Sequence, residues 1–231
     1  MRVSLRTLMP LVVTLVVGVG HSFAWNPERA GTLGFALWAG LPTVLLAAIG
    51  VWWLRQEDGD LQLLAPRWGD ATLAILVALG LFGGAWMLVH VVAKEGTPQH
   101  AWILHVYLQA GPPGPLKAQM PLVVVGLLVI AAAEEIVWRG VVTRLCEPLV
   151  GSRRAWLVSA VLYALAHTPT LWLLGTETAG KNPILVLGAL GAGLVWGALA
   201  RRLGRLFPGI LAHLAFDWTV LVLFRLAGSS L

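Results

Sequence analysis

The chain has 231 residues, of which 58% are hydrophobic and only 12% are charged, and its formal net charge is +5. A soluble domain carries about 25% charged residues, so this composition excludes ordinary soluble, disordered and disulfide-rich proteins and indicates a polytopic membrane protein. The basic residues flank apolar runs, which is typical of membrane-topology signals. No nucleic acid partner is therefore expected.

Seven segments are long and apolar enough to span a bilayer, which takes about 20 residues of helix. They cover about 8–25, 32–54, 70–93, 119–146, 155–174, 183–203 and 207–227. The first resembles a signal peptide, but its apolar run is long and further spans follow, which favours an uncleaved first helix. Within 183–203, closely spaced glycines predict tight helix packing. The fold class is an all-α membrane bundle of about seven helices.

Segment 94–118 is the ambiguous part of this topology. Gln99 to Ala110 predicts either an interfacial helix or an eighth span. We find no separable soluble domain, so residues 1–231 are one integral membrane domain, with a four-helix portion at 119–227. The sequence does not specify the oligomeric state.

The distribution of basic residues predicts the orientation. With a cytoplasmic N-terminus, five basic residues lie in the outer segments and ten lie in the inner ones, as the positive-inside rule requires. The inner residues are Arg2, Arg6, Arg55, Arg67, Arg144, Arg153, Arg154, Arg201, Arg202 and Arg205.

Six ionisable residues lie inside the last four apolar segments: Glu134, Glu135, Arg139, His167, His213 and Asp217. An intramembrane charge costs about 2.5–3.5 kcal/mol on insertion scales, so such residues usually face a cavity or a partner. Residues four apart share a helix face, and this spacing occurs three times. The pairs are Glu135 with Arg139, Tyr163 with His167, and His213 with Asp217. Glu134 lies about 100° round the helix from Glu135 and is free to face the bundle interior.

Two chemistries fit these residue types. A carboxylate in a low-dielectric cavity is a general base that can activate water, with an imidazole assisting. Alternatively, Glu134, His167 and His213 are ordinary ligands for a divalent metal such as zinc, which would hold the water. Both predict hydrolysis inside the membrane. A proton-coupled transporter also uses such residues, but paired transport repeats are absent.

The three pairs, with Glu134, resemble the motifs of the CPBP family, the CAAX-protease and bacteriocin-processing group of Rce1-like intramembrane proteases. That family has Glu-Glu-x-x-x-Arg, then Phe-x-x-x-His, then His-x-x-x-Asn or Asp. Here Tyr163 replaces the usual phenylalanine. The resemblance covers about 134–217 and does not extend to the first 118 residues.

The resemblance implies a role for each matching position. Glu134 would activate water with help from His167, while His213 and Asp217 would line the oxyanion side or hold a metal. Glu135 and Arg139 would be auxiliary or structural. We favour the glutamate mechanism, which needs no cofactor, over a zinc-dependent one.

The resemblance also implies the kind of partner. Substrates would be tails of membrane-anchored or lipid-modified proteins, cut in C-terminal processing or sorting. Enrichment in Ala, Gly, Arg and Trp suggests a GC-rich bacterial gene, and therefore the bacterial inner membrane. A degenerate family member acting as a scaffold or bacteriocin-immunity factor is the non-enzymatic alternative.

Overall fold

The protein forms a bundle of helices, as given by a computed structural model that describes residues 5–58 and 61–225. The α-helices are α1 (Leu5–Ala24), α2 (Leu33–Asp58), α3 (Asp70–Val92), α4 (His100–Ala110), α5 (Pro113–Ala118), α6 (Met120–Glu135), α7 (Thr143–Val150), α8 (Ser152–Ala166), α9 (Thr170–Leu173), α10 (Ile184–Leu203) and α11 (Phe207–Trp218). Two π-helical segments, Ile136–Val142 and Thr219–Leu223, connect α6 to α7 and extend α11. Arg2 and positions 226–227 of the last predicted span lie outside the described residues.

The predicted polytopic bundle is confirmed. Within residues 5–58 and 61–225, six helical stretches are long and apolar enough to cross a membrane: Arg6–Ala24, Leu33–Glu57, Asp70–Val92, Met120–Val150, Ser152–Leu173 and Ile184–Leu203. The seventh predicted span, Phe207–Leu223, is also helical and apolar but shorter. Leu15, Leu45 and Leu76 are each more than half exposed on the outside of the bundle. A lipid environment suits such a surface, and the protein is an integral membrane protein.

Segment 94–118 does not form an eighth span. Its main helix, α4, has 11 residues and is therefore about 16 Å long, half the thickness of a hydrocarbon core. It is held across one end of the bundle by amide side chains. Gln109 donates to the carbonyl of Ala24 at 2.8 Å, and Asn182 donates to the carbonyl of Trp102 at 2.9 Å.

Close packing between α8 and α10 follows from glycine, as the sequence predicts for this span. A Cβ at Gly193 would lie 3.2 Å from Cδ1 of Tyr163, and one at Gly197 would lie 3.1 Å from Cε3 of Trp156. At Gly188 and Gly191 no atom of another element lies within 4 Å of such a Cβ. Only the last two glycines of the run therefore let α10 approach α8.

A buried ion pair fixes the connection between α10 and α11. Arg205 donates from both terminal nitrogens to the carboxylate of Asp70 at the start of α3, with the Nη1 bond at 2.6 Å. The same carboxylate accepts from the backbone N–H of Arg67 at 2.7 Å. The hydrogen bond to Asp70 raises the pKa of Arg205 above its usual value. The start of α11, which carries His213, is thereby anchored to α3.

Candidate active site

The π-helical segment Ile136–Val142 begins directly after the adjacent glutamates Glu134 and Glu135. In this wider turn the Trp138 carbonyl does not form the usual α-helical hydrogen bond. The carbonyl oxygen instead accepts hydrogen bonds from the Thr143 hydroxyl at 2.9 Å and the Ser159 hydroxyl at 2.6 Å. Ser159 lies on α8, so this carbonyl also joins α8 to the glutamate-bearing helix. Single π-helical turns inside α-helices occur frequently at functional sites.

Glu135 lies against Arg139, as their spacing predicts. Glu135 Oε1 is 3.1 Å from Arg139 Nη1, with side chains 0% and 3% exposed respectively. The same oxygen is 3.2 Å from His213 Nδ1 on α11. A Cβ at Gly209 would lie 3.0 Å from Glu135 Oε2, so glycine at this position lets α11 approach closely enough for His213 to reach Glu135.

Glu134 is the point where three helices meet. The Tyr163 hydroxyl on α8 donates to Glu134 Oε2 at 2.6 Å in a buried contact. His213 Nε2 on α11 is 3.6 Å from the same oxygen and 3.4 Å from Asp217 Oδ2. The structure thus brings together Glu134, His213 and Asp217, which the sequence proposed as site residues on two separate helices.

His213 has carboxylate oxygens facing both of its ring nitrogens. Nδ1 faces Glu135, while Nε2 faces Glu134 and Asp217. The Nδ1 contact with Glu135 is a hydrogen bond at 3.2 Å, while Nε2 lies farther from its neighbours, 3.6 Å from Glu134 and 3.4 Å from Asp217. This arrangement places an imidazole nitrogen beside Glu134.

His167 joins the cluster through Tyr163. It follows the last residue of α8, and its Nδ1 lies 2.8 Å from the Tyr163 carbonyl oxygen. A carbonyl only accepts, so Nδ1 carries the proton and Nε2 is the acceptor in the neutral ring. The ring packs edge-on to the Tyr163 ring at a centroid distance of 4.8 Å.

Sequence reasoning missed three contributors to this site. The Trp196 ring stacks on His213 at 3.7 Å with an interplanar angle of 20°, and Arg139 lies over the same ring at 5.3 Å. The Tyr163 hydroxyl binds Glu134, and His21 of α1 lies against His167 with ring centroids 4.3 Å apart. The sequence could have indicated Trp196, because this tryptophan lies within a span and not at a membrane interface. No sequence pattern indicates that His21 belongs to the site.

The geometry does not fit the three-ligand metal site considered from the sequence. In the two described stretches, no three His, Cys, Asp or Glu side chains are placed to hold one metal ion.

A membrane bundle with buried carboxylates, imidazoles and a tyrosine hydroxyl at one point defines a membrane protein with an internal acid–base site. Residues 116–219 match the family model described as type II CAAX prenyl endopeptidase Rce1-like. This stretch, slightly less than half of the chain, carries every motif residue identified above. Over this stretch the chain is similar to the Rce1-like family, as its motif residues predict. Searches of curated proteins and of solved structures gave no match.

Proposed function

We propose that this protein hydrolyses peptide bonds in the tails of membrane-anchored or lipid-modified proteins, using a water molecule activated by Glu134. The observation that carries the proposal is the position of the Glu134 carboxylate. It is buried, accepts a 2.6 Å hydrogen bond from Tyr163 and lies beside His213. A buried carboxylate that is held by a hydrogen bond and lies next to an imidazole is suited to general-base catalysis of acyl transfer.

The proposed reaction follows from these neighbours. Glu134 removes a proton from water while the water oxygen attacks the peptide carbonyl carbon. His167 Nε2 accepts a hydrogen bond from the other O–H of the water and so orients it. His213 faces Glu135 with Nδ1 and donates from Nε2, which lies 3.4 Å from Asp217, to the developing oxyanion. Glu134 then passes its proton to the departing nitrogen as the C–N bond breaks. The products are a carboxylic acid, which loses its remaining proton to solvent, and a free amine.

Metal dependence is tested on the purified protein in liposomes. A panel of membrane-anchored tails, each paired with the same tail lacking its anchor, is incubated with and without a strong chelator. We expect cleavage of anchored tails only, at a rate unchanged by the chelator, with fragments identified by mass spectrometry. Cleavage lost on chelation and restored by zinc would replace the glutamate mechanism with a metal-dependent one. If no tail is cut, a scaffold or immunity role is favoured.

The hydroxyl of Tyr163 is expected to contribute measurably to the rate. Tyr163→Phe keeps the ring and restores the residue usual in the family, but it removes the donor to Glu134 Oε2. A hydrogen bond to a charged group contributes about 1.5–3 kcal/mol, which predicts a decrease in kcat of roughly 10- to 100-fold. The chain's other tyrosine, Tyr107, supplies the control Tyr107→Phe. Equal kcat values for wild type and Tyr163→Phe would show that the bond does not orient the base.

The orientation and the membrane are also part of the proposal. Arg6 at the start of α1 is 3.5 Å from Glu57 at the end of α2, and both line a polar cavity of about 520 Å³ with Arg144 and Glu147 of α7. We infer that this end of the bundle faces the cytoplasm of a bacterial cell. Labelling of Glu147→Cys by a membrane-impermeant reagent from the outside of intact cells would contradict it.

A further inference from the structure

His21 is a buried histidine on α1, outside the stretch that matches the family model. It is 4% exposed, although it lies only three residues before the end of its helix at Ala24. Its Nδ1 lies 3.1 Å from the carbonyl oxygen of Ala166. Because the carbonyl can only accept, Nδ1 carries the proton and Nε2 holds the lone pair in the neutral ring.

The Ala166 carbonyl is the last of α8. Terminal carbonyls of a helix lack partners within the helix and need a donor from elsewhere. His21 supplies that donor from a different helix, directly before His167. The backbone that presents the His167 side chain is therefore fixed by α1.

The two imidazoles also touch directly. The ring centroids of His21 and His167 are 4.3 Å apart, with planes inclined at 54°. His167 is bounded on its other side by the Tyr163 ring, at 4.8 Å. His167 is thus confined between a residue that binds Glu134 and a second imidazole.

We propose that His21 is a positioning residue for His167, holding its ring so that Nε2 faces the attacking water. This inference rests on the proposed function, in which His167 orients that water. It adds α1 to a site whose motif residues lie on α6, α11 and the π-helical segment between α6 and α7, and on or directly after α8. Removing the His21 ring frees His167 to rotate about its side-chain bonds, while substrate binding is unaffected.

The test separates this role from simple capping of α8. His21→Asn keeps an amide N–H near the position of Nδ1, and therefore the bond to Ala166, but lacks the ring. His21→Gln places its amide near Nε2 and also lacks the ring. We expect kcat to fall about 10- to 100-fold in both variants, the usual effect of a misplaced reacting group, with KM unchanged. His21→Asn, which keeps the bond to Ala166, is expected to unfold at the wild-type temperature.

His90 provides the matched control, since its Nδ1 lies 2.8 Å from the Trp86 carbonyl on the exposed side of α3. His90→Asn is expected to leave kcat unchanged. A folded His21→Asn or His21→Gln variant with wild-type kcat would overturn the inference. Glu134→Gln is assayed alongside: if it is inactive while the His21 variants are fully active, only this inference fails. If Glu134→Gln is itself active, the proposed function fails.

Discussion

Glu134→Gln is expected to lower kcat for cleavage of a membrane-anchored tail by about 10²- to 10⁴-fold, the usual contribution of a general base. The amide keeps the size of the side chain, and its oxygen still accepts from the Tyr163 hydroxyl. It has no basic oxygen to take a proton from water. We therefore expect the loss in kcat without a matching loss of thermal stability or substrate binding.

Glu147→Gln is the matched control for this substitution. Glu147 lies on the same continuous helix, Met120–Val150, but is exposed at its end. We expect this variant to cleave at the wild-type rate. Undiminished cleavage by folded Glu134→Gln would remove Glu134 from the chemistry and shift attention to Glu135 and Asp217.

Arg139→Met is expected to destabilise the protein by about 3–5 kcal/mol, the usual effect of removing one partner of a buried ion pair. Methionine fills much of the space of the arginine stem, but it leaves Glu135 without the cation at 3.1 Å. The arginine also lies over the Tyr163 ring at 4.7 Å, so its loss loosens the support of the site. Equilibrium unfolding in mixed detergent measures the change.

Two further variants make this measurement specific. Arg154→Met removes an exposed arginine at the start of α8 and is expected to leave stability within about 0.5 kcal/mol of wild type. Adding Glu135→Gln to Arg139→Met removes the unpaired charge and is expected to recover part of the stability. If the double variant is no more stable than Arg139→Met, the ion pair is not the source of the effect.

The sequence was sufficient for the spans and for contacts within one helix. Apolar length located the helices, because a membrane admits few alternatives. The i,i+4 rule placed Glu135 beside Arg139, since both lie on one helix with known geometry. Contacts between helices depend on rotation and depth, which hydropathy does not encode. The hydrogen bond from Tyr163 to Glu134 and the packing of His21 on His167 therefore emerged only from the structure.

Other features were missed for local reasons. The π-helical segment arises where Thr143 and Ser159 satisfy the Trp138 carbonyl, and its residues, Ile136–Val142, have the composition of an ordinary apolar helix. The helices between α3 and α6 are too short to span a membrane. The side-chain hydrogen bonds of Gln109 and Asn182 that hold α4 in place join residues about 80 positions apart. No local pattern predicts such pairings.

The ion pair between Glu135 and Arg139 affects how the helix Met120–Val150 enters the membrane. Glu135 and His213 are 78 positions apart, so during synthesis the glutamates reach the bilayer well before α11 has been made. A charge entering the bilayer alone costs about 2.5–3.5 kcal/mol. Arg139, one turn away on the same helix, accompanies Glu135 from the outset and neutralises it. The nascent helix thus brings its own counter-charge, and the site is completed only when the histidine of α11 arrives.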